Sequence, residues 1–344
     1  MSNRISSILN LEDLWLGYAP GAYLVKHATD EIRSGEMIAL AGRNGTGKST
    51  LLRTIAGIQK PVKGNVQLQN RPLSSYSPRD FATHISFVGT GISLVEKLTV
   101  FEMVALGRHP YTNWWGKIME KDRHKIHQSI RFVGMEDFTE ARVHRLSDGE
   151  RQRVMIAMAL AQDTRIMILD EPTAFLDIPN RIGILEVLNK LKSQGRTVIF
   201  STHEFDNIFS YADKVWVIHN EQLLVGAPED LGIQGTYEHI FSDSGVTFDR
   251  DNLRFLRRGS LDRRLELSGE QGMVSYWTRR ALERGGFRVS ENYTSGKESN
   301  DAAHAISVII EKRQGHFSWN IHTEDTNRTF ETLYDVMGFL TQSV

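Results

Sequence analysis

Residues 42–49 read Gly-Arg-Asn-Gly-Thr-Gly-Lys-Ser. A glycine-spaced loop ending in a lysine and a hydroxyl lets backbone N–H groups curl around a triphosphate. In that pattern Lys48 reaches the β- and γ-phosphates and the Ser49 hydroxyl ligates magnesium. The expected nucleotide contacts are therefore Gly42, Arg43, Asn44, Gly45, Thr46, Gly47, Lys48, Ser49 and Thr50. A chance glycine-rich turn is the plainer alternative. It is disfavoured by the apolar run 36–41 before the loop and the helical pattern 48–57 after it, which ends at Gly57.

A second group sits at Leu169-Asp170-Glu171-Pro172, closing the apolar run Ile166-Met167-Ile168-Leu169. A carboxylate at a strand end can hold magnesium through water, and its neighbour can polarise an attacking water. Asp170 is assigned to the metal and Glu171 to the base. An ordinary acidic turn would look the same if the phosphate loop were absent. Between the two groups, Ser147-Asp148-Gly149-Glu150 has the form of a capping box, with Ser147 opening a helix and Glu150 three residues on. A helix start is also an anion site, and the two readings are compatible.

These residues need a frame. Apolar spacing predicts helices over 122–134, 150–162 and 180–194, and buried strands over 165–170 and 196–201. Strands alternating with helices imply an α/β fold with a mostly parallel sheet covered on both faces. Composition fits a globular chain: 344 residues, 40% hydrophobic, 24% charged, formal net charge −1, no cysteine. No global field draws such a chain to nucleic acid or anionic lipid, and neither disulfides nor thiolate metal sites are available. The N-terminus lacks the apolar core of a signal peptide, and no apolar stretch is long enough to span a bilayer. Work at a membrane would go through a partner.

The order of phosphate loop, Leu146-Ser147-x-Gly149, Leu-Asp-Glu-Pro, Phe175-Leu176-Asp177 and Ser201-Thr202-His203 resembles that of the ATP-binding-cassette (ABC) family, over residues 9 to about 231. The resemblance implies a phosphate-loop NTPase core with a parallel-rich sheet, an antiparallel β-subdomain and a helical subdomain at about 91–163. It implies two copies packed head to tail, each ATP lying between one phosphate loop and the other copy's Ser147, Asp148, Gly149 and Glu150. His203 would hold the γ-phosphate, Asp177 would act across the dimer, and Tyr18 would stack on adenine. An ordinary strand-edge tyrosine is the alternative for Tyr18. Residues 106–116, with Gly107-Arg108-His109-Pro110, and Ala161-Gln162-Asp163-Thr164 are similar to the branch serving iron–siderophore, haem and cobalamin permeases. Trp114 and Trp115 would otherwise plug a helical core.

Two positions depart from the family pattern. Gly89-Thr90 stands where Pro-Gln is usual, and threonine lacks the amide that reaches the magnesium and the attacking water. Asp148 and Glu150 replace a usual glycine and glutamine. Two carboxylates near a triphosphate raise its energy unless they point away.

After about residue 235 the pattern changes, and residues 236–344 are expected to form an accessory α+β domain. Its elements are a strand at 263–268, a helix at 271–284, a strand at 286–290, a polar loop at 291–301, a hairpin over 305–322 turning at Gln314-Gly315, and a last helix at 326–341. Arg250, Arg254, Arg257, Arg258, Arg263 and Arg264 crowd its start. Over residues 241–344, however, 14 Lys+Arg face 15 Asp+Glu, so a solvated linker or interface is favoured over a nucleic-acid site. The expected activity is ATP hydrolysis with magnesium, in the ATPase subunit of a metal-chelate importer on the cytoplasmic face of the inner membrane. The expected partners are a second copy, integral permeases and, indirectly, an extracytoplasmic substrate-binding protein, with no nucleic acid. The alternative is a soluble ATPase of the same family acting on nucleic acid or cofactor assembly. Such proteins often carry a coiled-coil insertion or a second cassette, and neither is present here.

Overall fold

The structure is a computed structural model that describes residues 7–19, 21–90, 97–112, 117–241, 245–249, 254–257, 263–291, 306–323 and 326–343. Trp114, Trp115, Arg250, Arg258 and the polar loop beyond Glu291 lie outside the described residues. Two compact units form: Met1–Ser244 with Phe248–Phe255, and Gly245–Thr247 with Leu256–Val344.

The first unit begins with β1 (Ser7–Ala19), β2 (Ala22–Arg33), β3 (Met37–Gly42), α1 (Lys48–Ile55), β4 (Lys63–Leu68), β5 (Arg71–Pro72), α2 (Pro78–Phe81) and β6 (Ile85–Val88). Three helices follow: α3 (Val100–Ala105), α4 (Glu120–Phe132) and α5 (Asp148–Ala161). The chain then runs through β7 (Ile166–Leu169), α6 (Ile178–Ser193), β8 (Thr197–Ser201), α7 (Phe205–Tyr211), β9 (Lys214–His219), β10 (Gln222–Gly226), α8 (Pro228–Ile233) and α9 (Thr236–Phe241).

The central sheet has the order β10-β9-β3-β8-β7-β6, parallel except for the β9–β10 hairpin. Every residue of β3, β7 and β8 is buried, as expected for parallel strands covered on both faces. Alternate β3 side chains serve opposite cores. Met37, Ala39 and Ala41 join the core containing Val154, Leu185 and Leu188, whereas Ile38 and Leu40 join the one containing Leu51, Leu9 and Leu16. The second core lies under the antiparallel sheet β2-β1-β4-β5. Helices α3, α4 and α5 pack together through Val100, Val104, Ile126, Ile130 and Val154. The α/β core, antiparallel sheet and helical subdomain are thus all present.

Because β8 lies between β3 and β7, the loops leaving all three strands open at one carboxyl edge, where open α/β sheets bind their ligands. The expected boundary at residue 235 precedes α9, whose Tyr237 and Ile240 are buried in the first unit's core.

Beyond α9 lie β11 (Val246–Asp249), β12 (Arg254–Arg257), β13 (Arg263–Gly269), α10 (Met273–Arg284), β14 (Phe287–Glu291), β15 (Ile306–Arg313), β16 (His316–Thr323), β17 (Asn327–Phe330) and α11 (Leu333–Ser343). The second unit's main sheet runs β14-β13-β15-β16-β17. Leu265, Leu267, Val308, Ile310 and Ile321 pack there with Leu282 of α10 and Leu340 of α11. The β15–β16 turn uses Gln314 and Gly315 at φ 49 and 88, the left-handed pair that a two-residue hairpin favours. One expectation is corrected. Residues 327–330 are not the start of the last helix but a strand paired with 319–322, and the helix begins only at Leu333. Thr332 accepts from the Asp335 N–H at 3.2 Å and supplies the start signal.

Candidate active site

The phosphate loop leaves β3 at Gly42 (φ 146) and turns through Gly45 (φ 78) and Gly47 (φ 108), all in the left-handed range that side chains avoid. A β-carbon at Gly47 would also sit 3.0 Å from Leu24 Cβ. Thr46 Oγ1 donates to the Arg43 carbonyl at 2.9 Å and braces the loop. Lys48 is buried, and its Nζ donates to the carbonyls of Gly42 at 2.9 Å and Arg43 at 3.1 Å. Burial lowers its pKa, while the charges of Glu171 and Asp170 pull it back up. Ser49 and Thr50 are half-buried in the first turn of α1.

Across the sheet edge, Asp170 is buried at the end of β7. Ser201, at the end of the adjacent β8, donates from Oγ to Asp170 Oδ1 at 2.8 Å and accepts the Glu171 N–H at 2.8 Å. Glu171 has φ 51, an uncommon conformation for a residue with a side chain, and this pair of bonds holds it there. Glu171 Oε1 is hydrogen-bonded to His203 Nε2. Asp170 Oδ2 is buried without a partner. A buried carboxylate oxygen left bare is unfavourable, so it fits a bound cation or its water. Among the described residues no group of three or more His, Asp or Glu side chains forms a metal cage. Magnesium held by one hydroxyl, one carboxylate, phosphate and water requires none. Ser49 and Asp170 therefore fit that ion.

A cleft of about 260 Å³ is lined by Gly42, Arg43 and Asn44 on one side and by Thr202, His203, Phe205 and Phe241 on the other. The structure thus brings together the phosphate loop, Asp170, Glu171 and His203. Tyr18 lies near the end of β1, 82% exposed, and Thr90 is exposed two residues past β6; neither lines the cleft.

The Ser147–Glu150 segment is a capping box at the start of α5. Glu150 Oε2 accepts from both the backbone N–H and the Oγ of Ser147 at 2.8 Å. Asp148 pairs with Arg151 at 3.2 Å. Both unusual carboxylates thus have local partners. Gly149 is buried against α6, where an added β-carbon would lie 2.6 Å from Asn180 Cγ. Asp177 caps α6 by accepting the Asn180 N–H at 3.0 Å. Gly149→Ala is expected to lower the unfolding free energy by about 0.5–1 kcal/mol, because the nearest atoms are the tip of the half-buried Asn180 side chain, which can turn aside. Urea denaturation checks this, and Asn180→Ala should restore most of the loss.

Sequence reading missed three features. Ser201 orders both carboxylates, a role visible only once β7 and β8 are seen to be neighbours. Phe205 and Phe241 line the cleft from α7 and α9. Arg108 forms a buried ion pair with Asp122, Nε and Nη2 each 3.0 Å from Oδ1, and Nη1 donates to the Ala161 carbonyl at 2.6 Å.

Comparison with known proteins places the chain in a family. Residues 25–174 match the family described as ABC transporter, and residues 262–341 match the iron ABC transporter C-terminal domain. The chain is 39% identical to the petrobactin import ATP-binding protein FpuD of Bacillus anthracis, over 61% of this chain and 78% of that protein. It is 36% identical to the achromobactin transport ATP-binding protein CbrD of Dickeya dadantii, over 67% and 86%. Among solved structures, an inward-facing metal-chelate type ABC transporter aligns with a TM-score of 0.59 and 27% identity, over 66% of this chain and 85% of that one.

Proposed function

Because the chain belongs to the ABC transporter family, as an ATP-hydrolysing subunit of an importer, we propose that it powers uptake of an iron–siderophore through separate membrane permeases. The cargo class is inferred from the siderophore systems named for its relatives and from the matched iron-transport C-terminal domain. No helix among the described residues is long and apolar enough to cross a membrane. We place the subunit peripherally, on the cytoplasmic face of the inner membrane, against permeases fed by an extracytoplasmic binding protein.

The observation that carries the catalytic reading is the hydrogen-bonded array Asp170–Ser201–Glu171–His203, whose last member lines one cleft with the phosphate-loop residues Gly42, Arg43 and Asn44. ATP binds with its phosphates in the loop 42–49, with Lys48 turning from the Gly42 and Arg43 carbonyls to the β- and γ-oxygens. Tyr18 stacks on the adenine. Magnesium, when bound, neutralises phosphate charge; Ser49 and Asp170 would hold it. Glu171 accepts a proton from the attacking water, and His203 fixes the γ-phosphate. The Ser147–Glu150 segment and Asp177 of a second, head-to-tail copy complete the site. The C-terminal domain matched at residues 262–341 serves as an accessory module, and Thr90 weakens the link between magnesium and permease that a glutamine would supply.

Deleting the gene is expected to abolish uptake of radio-iron-labelled ferric siderophore, with rescue by the parent chain but not by Lys48→Ala. Uptake unchanged by the deletion would refute the importer assignment.

A further inference from the structure

His203 sits on a short connection whose two ends are held differently. On one side, the Thr202 N–H donates to the Leu40 carbonyl at 3.1 Å, and Thr202 Oγ1 accepts the Glu204 N–H at 3.0 Å. That side is fixed to the central strand β3. On the other side, α7 begins at Phe205 with no side-chain cap at its N-terminus. This end is held by the Glu204 side chain, which pairs with Arg181 at 2.6 Å and accepts from Asn207 Nδ2 at 2.7 Å, and by aromatic packing. The Phe205 ring meets Phe255 at 4.6 Å, Tyr237 at 5.5 Å and Phe241 at 5.7 Å between centroids. Phe255 in turn meets Phe241 at 4.5 Å and Phe248 at 5.0 Å. Such edge-to-face pairs add stabilisation beyond the area they bury.

Phe205 and Phe241 line the cleft, whereas Phe255 does not. Phe255 stands behind both, on β12, far along the chain from any nucleotide motif. We infer that Phe255 is a positioning residue for ATP hydrolysis: it backs Phe205 and Phe241 so that the 202–205 connection presents His203 to the γ-phosphate. The inference rests on the catalytic reading of Glu171 and His203 given above. Removing the Phe255 ring leaves Phe205 and Phe241 without the neighbour they share. The α7 end of the connection keeps its Glu204 contacts but loses part of its aromatic backing, so it relaxes more than the β8 end and His203 shifts. Small displacements of a catalytic group are expensive in rate, and a misplacement of about 1 Å can lower it by about 100-fold. The ring contacts of Phe255 are with Phe205, Phe241 and Phe248, none of them in the phosphate loop, which keeps its grip on the nucleotide.

The test uses the purified full-length protein and follows phosphate release alongside equilibrium binding of a fluorescent ATP analogue. Phe255→Ala is expected to lower kcat by about 5- to 50-fold while nucleotide affinity changes by less than about threefold. Phe255→Tyr keeps the ring and should recover most of kcat. Circular dichroism at the assay temperature confirms that both variants are folded. Three outcomes overturn the inference: kcat per folded molecule unchanged in Phe255→Ala, kcat and affinity falling together, or Phe255→Tyr as impaired as Phe255→Ala. Glu171→Gln serves as the control. If that variant hydrolyses ATP like the parent, the catalytic reading is at fault; if it is inactive and Phe255→Ala is normal, only the role of Phe255 fails.

Discussion

Replacing Glu171 with glutamine is expected to lower kcat for ATP hydrolysis by about 10²- to 10⁴-fold, the contribution typical of a positioned general base. At 1.36 kcal/mol per tenfold, that is about 3–5 kcal/mol of transition-state stabilisation. The geometry explains why the loss should fall on turnover. The Glu171 backbone is fixed by Ser201 Oγ in a left-handed conformation, and its side chain is the hydrogen-bond partner of His203. Glutamine matches glutamate in size and can keep a hydrogen bond to the imidazole. It cannot take the proton of the attacking water. Lys48 and the loop glycines are untouched, so ATP should stay bound and accumulate in the closed dimer. Phosphate release, nucleotide affinity and gel filtration with ATP measure the three parts of this expectation. A kcat equal to the parent's would remove Glu171 from the base role.

The second large effect is on stability. Arg108→Leu is expected to lower the unfolding free energy by about 3–5 kcal/mol, because it strands a buried carboxylate. Asp122 is fully buried, and the guanidinium bonds to its Oδ1 while also satisfying the Ala161 carbonyl at the end of α5. Its other oxygen, Oδ2, accepts the Met119 N–H at 3.1 Å at the start of α4. The ion pair therefore joins the ends of two helices, and the Arg108 plane also stacks 3.9 Å from the Tyr111 ring centroid. Most of the loss should come from the unpaired charge. The double variant Arg108→Leu/Asp122→Asn keeps an oxygen for Met119, removes that charge and should recover a large part of the stability. Urea midpoints of the two singles and the double decide the matter. A double variant no more stable than Arg108→Leu would mean that the ion pair's charge is not what holds this corner.

Features written in short stretches of sequence were the legible ones. The loop 42–49 needs glycine wherever φ turns positive, and those glycines stand at the required positions. The strand before Asp170 is a continuous apolar run because it is buried on both faces. The helix start at Ser147 carries the capping side chain that the backbone needs; Asp177, read only as a group acting across a dimer, turns out to cap α6. What escaped reading joins residues far apart in the chain. Asp170 and Ser201 meet because β7 and β8 are neighbours, and nothing local to either residue records that pairing. The same holds for Arg108 with Asp122 and for Phe205 with Phe255. The strand Asn327–Phe330 escaped for another reason. Four residues are too few for a period to show, and their state is decided by the partner edge offered by β16. Asp148 and Glu150 would burden a triphosphate site unless they were turned away or offset; one is engaged by Arg151 and the other folds back onto Ser147 in the expected capping box.

The close approach of Gly149 to Asn180 brings the start of α5 and the start of α6 together in one corner. Ser147 caps the first helix and Asp177 the second, so that corner carries both groups expected to face a partner molecule. If a second copy packs head to tail on this corner, as proposed, one continuous patch of surface presents both groups to it, and a change at either helix start is felt at the other.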